Sequence, residues 1–305
     1  MKVHVYEAVC RRRANEVLDE CEIAAAPVIP EDIAEAKGIA LQVATRFPED
    51  CYGALLRQGN EFTIVTWEGC YSEGHHRFTI AHELGHYHLD GHVEALIPAD
   101  GTAVSFGGDY RKALGKRDPY EVEADIFASE LLMPERLVRP VIEALPPGLD
   151  AVRTLAERFG TSLSSAGVRY AALSPEPVAV LLSHRGDIEW AALSPAFDGW
   201  GWAERRVWRG EWAPPRSATR ALSRDPLRVT GREEASANGL LKEWFPGAPA
   251  IETGEDALGL GDYGRVMTVL VCPELPLPDD PEEVDEHVER EPEDWRDAMR
   301  TYRMG

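Results

Sequence analysis

The stretch "RFTIAHELGHYHLDGH", residues 77–92, carries four of the chain's nine histidines, with a glutamate directly after the first of them. Two readings compete for it: a metal site with hydrolase chemistry, or a polar helix that happens to be rich in histidine. Its centre, His82-Glu83-Leu84-Gly85-His86, has the pattern HExxH. On a helix, residues four apart share a face, so both imidazoles can reach one ion while Glu83 sits beside it. Neutral imidazole suits zinc, and a catalytic zinc takes three protein ligands plus water. The ion lowers the pKa of that water to about 7, and an adjacent carboxylate can take its proton. Gly85 leaves room between the histidines for close approach of the layer on the metal side. A convincing helix placed directly after a hairpin favours the metal site.

The third ligand is the discriminating question. His92 lies ten residues after His82, the spacing of the extended HExxHxxGxxH motif. That motif turns the chain at a glycine where this chain has Leu89; its glycine is Gly91. The other source is a carboxylate from "EVEAD", residues 121–125. Glu121 shares a helix face with Asp125, which can accept a hydrogen bond from a ligand histidine and set its tautomer. Glu123 points roughly 160° away from Glu121 on a helix of 3.6 residues per turn, towards Phe127 and Glu130. Geometry favours Glu121, with His92 and Glu123 as the alternatives. His75, His76, His88 and His92 are then spare, and His88 reads as solvated. Tyr87, Tyr110, Arg111 and Tyr120 are all candidate transition-state donors.

Working outward, "YGALLR" and "EFTIVTW" flank Gln58-Gly59-Asn60 and read as a hairpin. Metalloproteases use the edge of such a hairpin to hold an extended substrate strand. Upstream, residues 30–47 have apolar positions near helical spacing, with proline at the start, and read as one helix. The first residues read as a short mixed strand followed by "CRRR", a solvated helix face. The histidine helix is expected from about His75 to Asp90-Gly91, where glycine supplies the left-handed stop. A glycine- and alanine-rich loop, residues 98–108, leads to a second helix, "DPYEVEADIFASELLMP", closed by Pro134.

Residues 137–173 look helical, and "LAERFGTSLSSAGVRYAAL" has the cadence of a helix-turn-helix with its turn at Gly160. A DNA-reading version needs cations on the second helix, and Arg169 is alone there, so a structural helical hairpin is the better reading. From Pro177 the composition changes. "VAVLLS" and "IEWAAL" flank "HRGD" as another hairpin, whose RGD is a turn. Trp200, Trp202, Trp208 and Trp212 follow, then a helix, "REEASANGLLKEWF", and a closing strand, "RVMTVLVC". The tail is rich in proline and acid and reads as disordered or loosely helical. The divisions expected are 1–136, 137–176, 177–273 and 274–305.

A formal net charge of −21 repels phosphate backbones and disfavours direct nucleic-acid binding. No run approaches the roughly 18 apolar residues of a membrane span, and the N-terminus lacks an apolar signal core. Five scattered cysteines without a CxxC pair fit reduced thiols and a cytoplasmic location.

"RFTIAHELGHYHL" followed by "EVEADIFASELLMP" resembles the ImmA/IrrE family of metallopeptidases, over residues from about Ile33 to Pro134. The resemblance implies an α+β, zincin-like N-terminal peptidase domain, followed by a helix-turn-helix-like segment and an α+β, sensor-like C-terminal domain. It implies that His82, His86 and Glu121 bind one zinc per chain and that Glu83 is the catalytic base. Asp125 stands where relatives often have asparagine, and would hold a histidine ligand in place. The implied activity is limited, site-specific cleavage of a helix-turn-helix transcriptional repressor, relieving repression under stress or in a mobile element. The rival is a non-proteolytic regulator that binds a repressor or antitoxin partner through a peptidase-like module; Glu83 argues against it, since a pure binder needs no base beside the metal.

Overall fold

The structure is a computed structural model that describes residues 2–47, 51–70, 72–97, 103–108, 118–198 and 211–276. The chain forms two compact units, one of Met1–Leu137 with Ala156–Ser162, the other of Val138–Leu155 with residues from Leu163 onward. Residues 156–162 join the first unit through Arg77, whose Nη1 donates to the Gly160 carbonyl (3.4 Å), and Thr161, whose hydroxyl donates to Met133 Sδ (3.5 Å). The stretch 137–176 is therefore shared between the units. Both units combine helices with a sheet, as the α+β reading requires.

The first unit opens with helix α1 (Lys2–Glu20), where the sequence suggested a short strand. Buried Cys10, Ala14, Val17 and Leu18 recur at helical spacing, and this stripe outweighs the β-branched start. The basic run lies on α1 among ion pairs: Arg12 with Glu16, Arg13 with Glu16 and Glu20. Arg11 and Asn15 instead reach buried Glu130 (3.2 and 3.0 Å).

Helix α2 spans only Pro30–Ala36, not the whole of 30–47. Gly38, at φ +70°, closes it, with the Gly38 and Ile39 amides donating back to Glu35 and Ala34. The freed residues form β1 (Ala40–Ala44), parallel to β3. Strands β2 (Cys51–Gln58) and β3 (Glu61–Trp67) make the expected hairpin around Gly59-Asn60, with Gly59 at φ +65°. Neither of its strands is an edge, contrary to expectation: β1 covers β3, and β4 (Ala103–Gly108) covers β2. Part of the glycine-rich loop is thus a strand, because β2 offers a second hydrogen-bonding edge to it.

Helix α3 (Glu73–His88) starts at Ser72, whose side chain accepts from the His75 amide (3.2 Å). It stops at His88, before the predicted glycine. Gly91 does take the left-handed conformation (φ +80°), but as the start of α4 (His92–Leu96), so the turn swings His92 inward. Helix α5 (Pro119–Leu132) has Asp118 as its cap, accepting from the Tyr120 amide (3.1 Å). α3 packs against β2 on one side and α5 on another. Gly85 permits the second contact: a Cβ there would lie 3.1 Å from Ala124 Cα and 3.2 Å from its carbonyl oxygen.

Helices α6 (Glu135–Glu143), α7 (Leu149–Phe159) and α8 (Leu163–Leu173) follow, with Gly160 at φ +62° between the last two. Arg169, the cation a DNA-reading α8 would need, is buried. The second unit is built on an antiparallel sheet in the order β6-β5-β9-β8-β7. Its β5 (Val178–His184) and β6 (Asp187–Leu193) form the expected hairpin around Arg185-Gly186, both at positive φ. Short helices α9 (Pro195–Asp198), α10 (Ala218–Ser223) and α11 (Pro226–Thr230) come next. The helix expected over 232–245 is instead strand β7 (Glu234–Leu240) and one turn of helix, α12 (Leu241–Trp244). Pairing with β8 (Glu252–Gly259) and alternate burial of small residues, Ala235 and Ala237 against a buried cluster, decide for the strand. β9 (Arg265–Val271) is the closing strand anticipated. Trp212 is exposed over the Arg220 guanidinium (4.1 Å); Trp200, Trp202, Trp208 and the tail from 277 lie outside the described residues.

No described helix is long and apolar enough to cross a membrane.

Candidate metal centre

One turn of α3 separates His82 from His86, and both rings are buried. Because α5 lies close over Gly85, the first turn of α5 brings Glu121 against them. Glu121 Oε2 is 3.4 Å from His82 Nε2, and Oε1 is 3.3 Å from His86 Nε2. The two Nε2 atoms are 3.0 Å apart. Among the described residues, these three form a group whose ligand atoms all lie within 4.8 Å of one another.

The arrangement fits a metal ion. His82 Nδ1 lies 2.9 Å from Asp125 Oδ1, a carboxylate that can only accept, so the proton of the neutral ring sits on Nδ1. His86 Nδ1 faces His92 Nδ1 at 3.0 Å. With both Nδ1 atoms protonated, two bare Nε2 lone pairs confront each other at 3.0 Å, an arrangement that a cation stabilises. Tetrahedral bonds of about 2.0–2.1 Å put ligand atoms about 3.3 Å apart, close to the separations seen. Burial, with lesser contributions from His82 and His92, pushes the His86 imidazole down to about 4, against the pull of Glu121, which keeps it neutral. Burial opposes ionisation of Glu121, but the adjoining His82 and His86 rings hold its carboxyl well below the usual range. Its place in the first turn of α5 works in the same direction. Both groups are therefore in ligand form.

Glu83 is completely buried and faces β2. A Cβ at Gly53 would meet Thr79 Cγ2 at 2.3 Å and Glu83 Oε1 at 3.1 Å, so the strand passes Glu83 at a distance only glycine permits. Gly53 sits inside a run that reads simply as a strand, and no sequence signal marked it. Gly53→Ala is expected to lower stability by about 1–3 kcal/mol through overpacking, measured as a drop in the denaturation midpoint. An unchanged midpoint would show that Thr79 has room to move.

The histidines read as spare are all engaged. His88 is buried, not solvated: Phe127 stacks on its ring (5.9 Å between centroids) and Arg13 Nη2 lies 3.4 Å from Nδ1. Burial first, then the Arg13 charge, pushes it down to about 4. His75 is buried edge-on to Tyr52 (4.6 Å), and His76 meets the Thr66 hydroxyl (3.0 Å) and Glu31 (3.6 Å). His92 is fully buried beside His86, with its Nε2 2.9 Å from Glu123 Oε2. Neither His92 nor Glu123 belongs to the three-residue group, yet both adjoin it. The turn at Gly91 brings His92 to meet Glu123. Of the candidate donors, Tyr87 packs edge-on against Phe62 (5.0 Å) and Tyr120 against His92 (4.9 Å); Tyr110 and Arg111 lie outside the described residues.

Two helical histidines, a carboxylate from α5 and a buried glutamate next to the first histidine make up the kind of site found in metallopeptidases. Residues 56–170 match the family model of the IrrE N-terminal-like domain, a peptidase family, so the resemblance to the ImmA/IrrE metallopeptidases holds over that segment. A solved structure of a Mycobacterium tuberculosis transcriptional regulator is similar over 88% of this chain and 77% of that chain, with a TM-score of 0.55 and 15% identity. At that identity the likeness speaks for the fold alone. No curated protein sequence matches the chain.

Proposed function

We propose that the protein is a zinc-dependent endopeptidase making limited, site-specific cuts in a helix-turn-helix transcriptional repressor, thereby relieving repression. The observation that carries the peptidase reading is the division of labour on α3. His82, His86 and Glu121 supply a complete ligand set, which leaves Glu83, buried one residue along, available as a base. A bound zinc would supply a Lewis acid and bring water within reach of deprotonation near neutral pH. Glu83 accepts the proton that water gives up as its oxygen adds to the scissile carbonyl carbon. It returns that proton to the amide nitrogen as the C–N bond breaks, so atoms and charge balance. Asp125 holds His82 with its Nε2 towards the site. β4 is the sheet edge next to β2, and no described strand pairs with its outer side, so an extended substrate segment can add there.

The substrate rests on the family resemblance: a helix-turn-helix repressor, in a stress response or a mobile element, met in the cytoplasm. The test is incubation with a repressor encoded beside the gene, read by intact mass. Discrete fragments that vanish with a chelator and return with zinc support the reading. A repressor that stays whole but co-purifies with the protein favours the non-proteolytic binder.

A further inference from the structure

We propose that His92 and Glu123 are positioning residues that set the tautomer and ring orientation of His86 through a two-step hydrogen-bond chain. This rests on the reading of His86 as a metal ligand. The two ligand histidines are supported differently. His82 has a carboxylate directly on Nδ1, Asp125 at 2.9 Å. His86 has none; its Nδ1 meets the ring of His92, and the carboxylate stands one ring further out, Glu123 Oε2 at 2.9 Å from His92 Nε2.

The proton positions follow from what each group can do. A carboxylate only accepts, so the proton between His92 and Glu123 belongs to His92 Nε2. A neutral His92 then has a bare Nδ1, which can only accept. The 3.0 Å contact with His86 is a hydrogen bond only if His86 donates from Nδ1. That leaves the lone pair of His86 Nε2 directed at His82 and Glu121, as a metal ligand requires. Glu123 thus fixes the proton on a ring it does not touch. Both nitrogens of His92 are occupied by these bonds, which also explains why His92 stands outside the three-residue group. Its ring is locked as well: it is fully buried, with Tyr120 edge-on at 4.9 Å and His86 tilted at 5.2 Å.

The fold builds this chain from three places. His86 comes from the end of α3, His92 from the first residue of α4 after the left-handed turn at Gly91, and Glu123 from α5. Partners of this kind typically contribute 10- to 100-fold in metal affinity.

The test uses the full chain. In zinc-loaded protein, nitrogen-15 imidazole spectra should show the His86 Nδ1 proton coupled to His92 Nδ1 across their hydrogen bond, with the His92 proton on Nε2. His92→Phe keeps a ring but removes the acceptor, and should abolish that coupling. By chelator competition, His92→Phe and Glu123→Ala should each weaken zinc binding about 10- to 100-fold, and the double variant no more than His92→Phe alone. Glu123→Gln, whose amide oxygen still accepts, should retain more affinity than Glu123→Ala. If His92→Phe does not fold, the wild-type coupling and the two Glu123 variants decide. No His86–His92 coupling in zinc-loaded wild type, zinc affinity unchanged in folded variants, or additive losses in the double variant would each overturn the proposal. Wild type that binds no zinc but carries the His92 proton on Nε2 would sink the ligand reading and leave the chain standing.

Discussion

The Glu83→Gln protein is expected to fold, to retain its zinc and to bind its protein substrate, while cleaving it about 10²- to 10⁴-fold more slowly, the usual contribution of a positioned general base. Glutamine keeps the size and shape of a side chain that has no solvent around it, so the packing against Gly53 survives. Zinc retention follows because the three ligand atoms all come from other residues. What is lost, on the proposed mechanism, is the group that accepts a proton from water and returns it to the leaving amine. The assay is intact mass of the substrate over time, beside a zinc measurement on the same preparation. If the variant derepresses its target in cells as well as wild type does, without cutting it, proteolysis is not the function. A variant without zinc would place Glu83 among the ligands instead.

The second large effect is expected at Glu121. Glu121→Ala leaves two imidazoles, whereas a catalytic zinc is held by three protein ligands. The loss in affinity should exceed the roughly 10- to 100-fold typical of residues that only support a ligand. His82→Ala and His86→Ala should behave alike, and wild type should hold at most one zinc per chain. Zinc content after dialysis against a weak chelator reads this directly. Thermal melting gives a second reading, because zinc at about 100 times its Kd stabilises a binding protein by about 2.7 kcal/mol. That added stability should disappear in the variant. Glu121→Ala protein that keeps a full equivalent of zinc would require another third ligand.

Much of this site could be read from spacing alone, because a helix repeats every 3.6 residues and neighbours on one face follow directly. That places His82 with His86, and Glu121 with Asp125, whatever surrounds them. The hairpins at Gly59-Asn60 and Arg185-Gly186 were legible for a similar reason: two-residue turns demand particular backbone conformations at particular residues. Other elements had no such local signature. "EASANGL" became β7 because β8 pairs with it, and "AVSFGG" became β4 because β2 had an open edge. The partner of an edge strand lies elsewhere in the chain, and propensity is weak against it.

The sequence by itself brought together the two histidines, the glutamate between them and a carboxylate four residues before Asp125, since these follow from one helical period and from the chemistry of the side chains. Tertiary structure alone decided what His92 and Glu123 do. Their relation depends on where the chain turns after α3, and a left-handed residue three positions beyond the helix end sends His92 back into the interior. It also decided how near the strand runs to Glu83, because the clearance at Gly53 depends on the packing of β2 against α3. Distances of that kind are set by where whole elements come to rest, and no pattern within either segment encodes them.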